Sequence, residues 1–273
     1  MINGKSSNVH LFAIPTVIWG STWYVITFQL GKVDPLLSVS YRFLAAAIIL
    51  LLYCIITKRN LKYTTKEHLR IALQGVLLFG LNYWLAYRAE TLINSGLVAV
   101  AFSMIIFFNI LFGAIFIRLK VVPKVLFGAL LGLIGTIIIF KNEIGTIGLA
   151  DDGLVGIGLA VLGVASASLG NIASAKNSKL KIPVIQATAF GMGYGGVLML
   201  IIALALGKPF QFDTSLPYLL SLGYLTVFGS ITAFITYLTL ISKIGPDRAA
   251  YAIVLLPLRL RDVVQAIEVK VDN

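Results

Sequence analysis

The sequence predicts an all-α fold, a polytopic bundle of membrane helices, and three observations carry that reading. Of its 273 residues, 59% are hydrophobic and 12% charged, against about 45–50% and about 25% in ordinary soluble domains. A soluble globule of this length needs a charged shell that this chain cannot supply. The charges it has sit in short clusters between long apolar runs. Those runs also have the length a bilayer demands, since a hydrocarbon core of about 30 Å takes about 20 residues of helix.

Taken in order, the first run covers 11–30 and contains Trp19, Ser21 and Trp23. It is too long for the apolar core of a cleaved leader, and no small-residue cleavage pattern follows it. The second, 37–57, holds Arg42 near one end and Cys54 near the other. The third, 71–89, brings Asn82, Tyr83 and Tyr87 together, with the two tyrosines four apart on one helix face. The fourth, 93–117, carries Ser103 and Asn109, and the fifth, 122–140, spaces Gly128 and Gly132 for close helix packing. The sixth, 153–174, contains Asn171; the seventh, 184–206, repeats the small-residue spacing with Gly191 and Gly195; the eighth, 217–241, contains Tyr224 and Tyr237. Each run is apolar on nearly all sides, which marks a membrane helix rather than an amphipathic surface helix.

The loops set the orientation. Lys58, Arg59, Lys62, Lys66 and Arg70 follow the second run, Arg118, Lys120 and Lys124 the fourth, Lys176, Lys179 and Lys181 the sixth, and Lys243 and Arg248 the eighth. The alternate loops carry mixed or acidic charge, including Asp34, Glu143, Asp151, Asp152 and Asp213. By the positive-inside rule, the N-terminus and the loops after even-numbered runs are cytoplasmic. The formal charge of +11 therefore reads as topology. No contiguous basic surface with interleaved aromatics remains once the spans are removed, so nucleic acid is not an expected partner. The single cysteine excludes disulfides and CxxC metal sites.

An offset of 150 residues lays Trp19-Gly20-Ser21 over Leu169-Gly170-Asn171, Tyr87 over Tyr237, and Val98-Ala99-Val100 over Arg248-Ala249-Ala250. Five spans per unit is an odd number, so two such units have opposite orientations. Inverted repeats of this kind are the architecture of secondary transporters, with the substrate site between the halves.

Several motifs then point to one family. Ile18-Trp19-Gly20-Ser21-Thr22-Trp23 resembles its opening signature, Arg42-Phe43 with Ala45 to Ala47 its second-helix pattern, and Gly128 to Gly135 its fifth-helix glycine run. Ile244-Gly245-Pro246 with Ala249, Ala250 and Pro257 resembles its entry into the ninth helix. The chain thus resembles the EamA group of the drug/metabolite transporter superfamily over about residues 11–257. The resemblance implies a 5+5 inverted-repeat carrier, multi-pass in a bacterial inner membrane. It also implies efflux of a small organic substrate, an amino acid or related metabolite. It divides the chain into a first repeat at 11–140, an incomplete second repeat at 153–257, and an atypical charged tail at 258–273.

The tail departs from that pattern. Leu258-Arg259-Leu260-Arg261-Asp262 interrupts the ninth segment, whose apolar run from Ala249 would cover only about 15 Å as helix. The expectation is a carrier lacking its last one and a half helices, with the stub held at the cytoplasmic side and the cavity open on one flank. A non-transporting truncated protein or assembly partner is the alternative, and a homo-oligomer would cover the missing flank.

Polar residues inside a span are functional candidates, because hydrocarbon penalises them. The expected substrate lining is Trp19, Ser21, Asn82, Tyr83, Tyr87, Ser103, Asn171, Tyr224 and Tyr237, with Trp23 and Asn109 beside them. Arg42 reads as a snorkelling anchor at the interface, or as a carboxylate or structural partner near the outer mouth. No carboxylate is placed deep in a span, and Glu90 is expected at an external edge. Neither His10 nor His68 is placed for metal or catalysis, and the glycine-rich stretches lack the Lys-Ser/Thr of a phosphate loop. No cofactor, metal or enzymatic activity is expected.

Overall fold

The structure, a computed structural model, describes residues 3–139 and 151–254. The charged tail at 258–273 lies outside the described residues. Helix α1 is Asn3–Thr27, α2 Pro35–Ile56, α3 Thr65–Glu90, α4 Ser95–Ile117 and α5 Pro123–Ile139. Helix α6 is Asp151–Lys179, α7 Val184–Ala205 and α8 Leu216–Ile244, and two short turns, Pro246–Ala249 and Tyr251–Val254, form α9. Among the described residues no strand occurs. Seven of the described helices are long and apolar enough to cross a membrane, while α5, at 17 residues, is shorter.

Local chemistry fixes the helix starts. Asp34 caps α2 by accepting from the Leu36 amide, with Pro35 pre-set at the first helical position. Helix α3 begins six residues before the expected start because Thr64 and Glu67 form a capping box, the Glu67 carboxylate accepting from the Thr64 amide at 2.7 Å. Asn94 caps α4 through the Leu97 amide at 2.9 Å.

Lipid-facing and bundle-facing sides are distinguished by packing more than by polarity. Ile48, Leu52, Ile55 and Ile56 of α2 and Leu130, Leu131 and Ile134 of α5 are exposed, as a membrane surface requires. Inside, α2, α3 and α7 pack closely through glycines. A Cβ on Gly75 would overlap the backbone of Gly191, and one on Gly195 would come 2.7 Å from the Gly75 carbonyl oxygen. Gly191 and Gly195 thus serve backbone approach, the role small-residue spacing gives in membranes.

Helices α3 and α8 each change pitch midway, becoming π-helical at Val76–Leu81 and Leu225–Thr232. The 150-residue offset carries one stretch onto the other. A π stretch shifts the carbonyl register, and such stretches occur often at functional sites. Here neighbouring helices donate into both. The Trp19 indole of α1 donates to the Gly229 carbonyl at 3.0 Å, and the Ser166 hydroxyl of α6 donates to the Leu77 carbonyl at 2.7 Å.

The ninth segment differs from expectation in its described part. Ala249, Ala250 and Ala252 are fully buried. Asn109 of α4 donates to the Pro246 carbonyl at 2.8 Å, Thr16 of α1 to the Ala252 carbonyl at 3.0 Å, and Tyr251 to the Val125 carbonyl of α5 at 2.6 Å. Through residue 254 this segment is held inside the bundle by three helices, because its small alanines allow that approach.

Candidate functional site

A cavity lies between α1, α3, α4, α6 and α8, closed on one side by Ile253 of α9. Its walls are Trp19, Thr22, Trp23 and Ile26, then Leu78, Asn82, Tyr83 and Ala86, then Phe102 and Ile105, Ala167 and Asn171, and Phe234 and Tyr237. The walls are mainly aromatic. Trp19 meets Phe234 and Tyr237 edge to face, each at 5.0 Å between ring centroids, and Trp23 meets Phe102 at 4.9 Å. Such arrangements pack large apolar area while leaving polar edges for a ligand.

The polar atoms are few and partly unused. Asn171 donates to the Tyr237 hydroxyl at 3.1 Å and to Asn109 Oδ1 at 3.4 Å, while its own Oδ1 has no partner. Asn82 donates to the Leu78 carbonyl at 3.2 Å and leaves its Oδ1 free, and the Trp23 indole N–H is likewise unpaired. An unpaired buried polar group costs the fold free energy. Three of them on the walls of one cavity leave two acceptors and one donor for a ligand. The space is small: water-sized molecules can centre in about 50 Å³ of it, room for only a few waters.

The structure brings Trp19, Asn82, Tyr83, Asn171 and Tyr237 together around this cavity, and the other candidates elsewhere. Ser21 and Tyr224 bond to each other at 2.6 Å, and Tyr224 lines an apolar groove with Val25, Phe28 and Leu220. Ser103 donates within its own helix to the Val100 carbonyl at 2.6 Å. Tyr87 is fully buried behind the wall, where its hydroxyl accepts from Arg42 Nη1 at 3.4 Å.

Arg42 corrects the sequence reading. It is fully buried and does not snorkel. Helix α2 starts at Pro35, so Arg42 lies about 10 Å along it, on the face that packs into the bundle. Its Nε donates to Ser230 Oγ at 2.8 Å, and its guanidinium carbon lies 4.6 Å from the Tyr83 ring centroid and 5.2 Å from that of Phe43. Glu90 is also more enclosed than expected: Ser95 lies beside it, yet both carboxyl oxygens are buried without a hydrogen-bond partner.

Sequence reasoning missed Thr22, Phe102, Ile105 and Phe234 as lining. Apolar side chains in membrane helices carry no mark of which neighbour they face. Helical spacing offers one signal, since Phe234 lies three residues before Tyr237 and Trp23 four after Trp19.

At the two ends, the loops differ. The α1–α2 and α7–α8 loops are joined by Lys32–Asp213 at 3.5 Å and Lys208–Asp34 at 3.1 Å. The opposite end has a hollow of about 460 Å³, lined by Lys179 and Lys181 with Ser178, Ser242 and Pro246 among others.

An apolar helical bundle with a central, partly polar cavity and no clustered metal-ligating groups among its described residues has the build of a membrane carrier. The chain belongs to the EamA-like transporter family, which matches residues 7–141 and again 154–259. It is 32% identical over 248 residues to the uncharacterized inner membrane transporter YedA of Escherichia coli strain K12, covering 89% of this chain and 77% of that one. It is 26% identical over 255 residues to an uncharacterized transporter of Clostridium kluyveri, covering 91% and 81%. A protein of known crystal structure shares the fold at a TM-score of 0.73 and 18% identity, over 93% of this chain and 87% of that one. Membership of that family, with seven described helices long and apolar enough to cross a membrane, makes the protein a multi-pass membrane transporter.

Proposed function

We propose that this transporter exports a small organic metabolite, an amino acid or a relative of one, from the cytoplasm across the inner membrane by alternating access. The observation that carries the reading is the central cavity, whose aromatic walls and unpaired Trp23, Asn82 and Asn171 atoms suit an amphiphilic solute. The loop charges support a cytoplasmic N-terminus, which makes the Lys179–Lys181 hollow the cytoplasmic entrance. The two halves, 11–140 and 153–257, rock about the cavity. The π stretches of α3 and α8 are the natural places to bend, because helices kink where the hydrogen-bond ladder is irregular. The contracted cavity expands as one end opens.

Flux in proteoliposomes tests this. Tyr83→Ala should reduce uptake of the transported solute while leaving membrane abundance near normal. A loss of abundance that accounts for all the lost flux would assign Tyr83 to packing instead. Orientation is read separately: Lys62→Cys should resist, and Asp152→Cys accept, an impermeant thiol reagent on intact cells. Labelling of the first would reverse the topology.

A further inference from the structure

Arg42 is a full charge with none of its side chain exposed. The ion pairs among the described residues are Lys32–Asp213 and Lys208–Asp34, and Arg42 belongs to neither. Its partners are neutral: the Ser230 hydroxyl on Nε, the Tyr87 hydroxyl on Nη1, and the faces of Tyr83 and Phe43. Nη2 has no partner at all. A guanidinium cannot shed its proton to escape this environment, and Arg42 makes no ion pair among the described residues.

The free nitrogen has a built surround. A Cβ on Gly229 would come 3.0 Å from Nη2 and 3.1 Å from the Thr22 methyl, so it is the bare glycine backbone that lets Nη2 lie this close to α8 and Thr22. Thr22 and Tyr83 both line the central cavity. The guanidinium therefore lies one side chain behind the cavity wall, stacked on the ring that forms it. The Nη1 bond to Tyr87, at 3.4 Å, is long and readily exchanged. Releasing it presents Nη1 and Nη2 side by side, the fork that binds a carboxylate through two parallel hydrogen bonds.

We propose that Arg42 is the anion-recognising residue of the transported substrate, which is a carboxylate with an apolar, ring-sized body. The carboxylate pairs with Nη1 and Nη2 after Tyr83 turns aside, and the body lies between Trp19, Trp23, Phe102 and Phe234. This rests on the carrier reading for its physiological role and on Arg42 for its chemistry. Positive-inside topology alone places Lys179 and Lys181 at the entrance, and they add only attraction for an anion.

The test uses the purified full chain in lipid nanodiscs with phenylacetate, its neutral amide phenylacetamide, and the cation phenethylamine, at up to millimolar concentrations. Trp19 and Trp23 report occupancy by fluorescence. Phenylacetate should bind at least about tenfold more tightly than the other two. R42Q should abolish that preference and R42K keep part of it, with helical circular dichroism unchanged. Should R42Q fail to fold, G229A keeps the charge but crowds Nη2, and the same loss of preference is expected. Equal binding of acid and amide, undiminished phenylacetate binding in both R42Q and G229A, or no binding of phenylacetate would overturn the proposal. Charge-selective binding without flux in proteoliposomes would leave the anion site standing and remove the carrier reading. Flux of phenethylamine indifferent to R42Q would do the reverse.

Discussion

The Trp19 indole N–H donates to the Gly229 carbonyl at 3.0 Å, so α1 holds the π-helical stretch of α8 through a carbonyl that pitch change presents. Trp23, one turn further along α1, has no such partner. The two residues therefore separate hydrogen bonding from ring packing. Trp19→Phe keeps an aromatic ring against Phe234 and Tyr237 but loses the indole hydrogen bond to that carbonyl, at a cost of about 0.5–1.5 kcal/mol. Trp23→Phe loses no hydrogen bond and should lower the thermal midpoint in detergent by less. Equal losses for the two variants would show that the Gly229 bond contributes nothing.

Glycine packing gives a second contrast. Gly75 faces the backbone of Gly191, whereas nothing lies within 4 Å of where a Cβ on Gly223 would sit. Gly75→Ala must push α3 from α7 and should cost about 1–3 kcal/mol, the usual range for overpacking. Gly223→Ala should be neutral or stabilising by up to about 1 kcal/mol, since alanine removes backbone entropy in a helix. Thermal unfolding of both proteins checks the pair, and a tolerated Gly75→Ala would mean that α3 and α7 are less tightly joined than described.

Much of this fold was legible because a bilayer imposes length and charge rules that survive without knowledge of packing. The spans could be placed from apolar runs, and the 150-residue offset carries the π stretch of α3 onto that of α8. What stayed hidden depends on helix rotation and depth. Arg42 looked like an interface residue because its distance from the span end was the only measure available; its burial follows from Tyr83, Phe43 and Ser230 converging on it from three helices. Ser21 and Tyr224 looked like lining because they are polar. They satisfy each other instead. The π stretches had no signal at all in Val76–Leu81, whose residues are ordinary for a membrane helix.

The Lys32–Asp213 loop pair carries a pH dependence with a definite sign. The Ser215 amide, donating to Asp213 at 2.9 Å, holds the Asp213 carboxyl below its ordinary value of 3.8, and the nearby Lys32 ammonium adds to that. A depressed carboxyl contributes stability that is present above its unfolded value and lost as pH falls through its folded one. The Lys32–Asp213 contact should thus hold at neutral pH and loosen only below about pH 4. The distance between spin labels on cysteines placed at Val33 and Thr214 should be constant from pH 8 to 5. A change within that window would assign control of the contact to another group.

Asn109 makes a last, separable prediction. It is fully buried on α4, donates to the Pro246 carbonyl at 2.8 Å and accepts from Asn171 at 3.4 Å. The short bond ties down the start of α9, while the long one joins α4 to α6. Side-chain hydrogen bonds between membrane helices average only about 0.6 kcal/mol in double-mutant cycles, and a 3.4 Å contact should fall at or below that figure. An Asn109→Ala, Asn171→Ala cycle should therefore be nearly additive. The loss of the Pro246 bond should instead act locally, leaving that carbonyl only the Ala250 amide at 3.2 Å and α9 less firmly held. Hydrogen exchange at the amides of residues 249–253 should quicken in Asn109→Ala and stay unchanged in Asn171→Ala, with α2 unaffected in both. If exchange at α9 quickens equally in the two variants, the α9 anchor is the whole Asn109–Asn171–Tyr237 chain and not the single bond to Pro246.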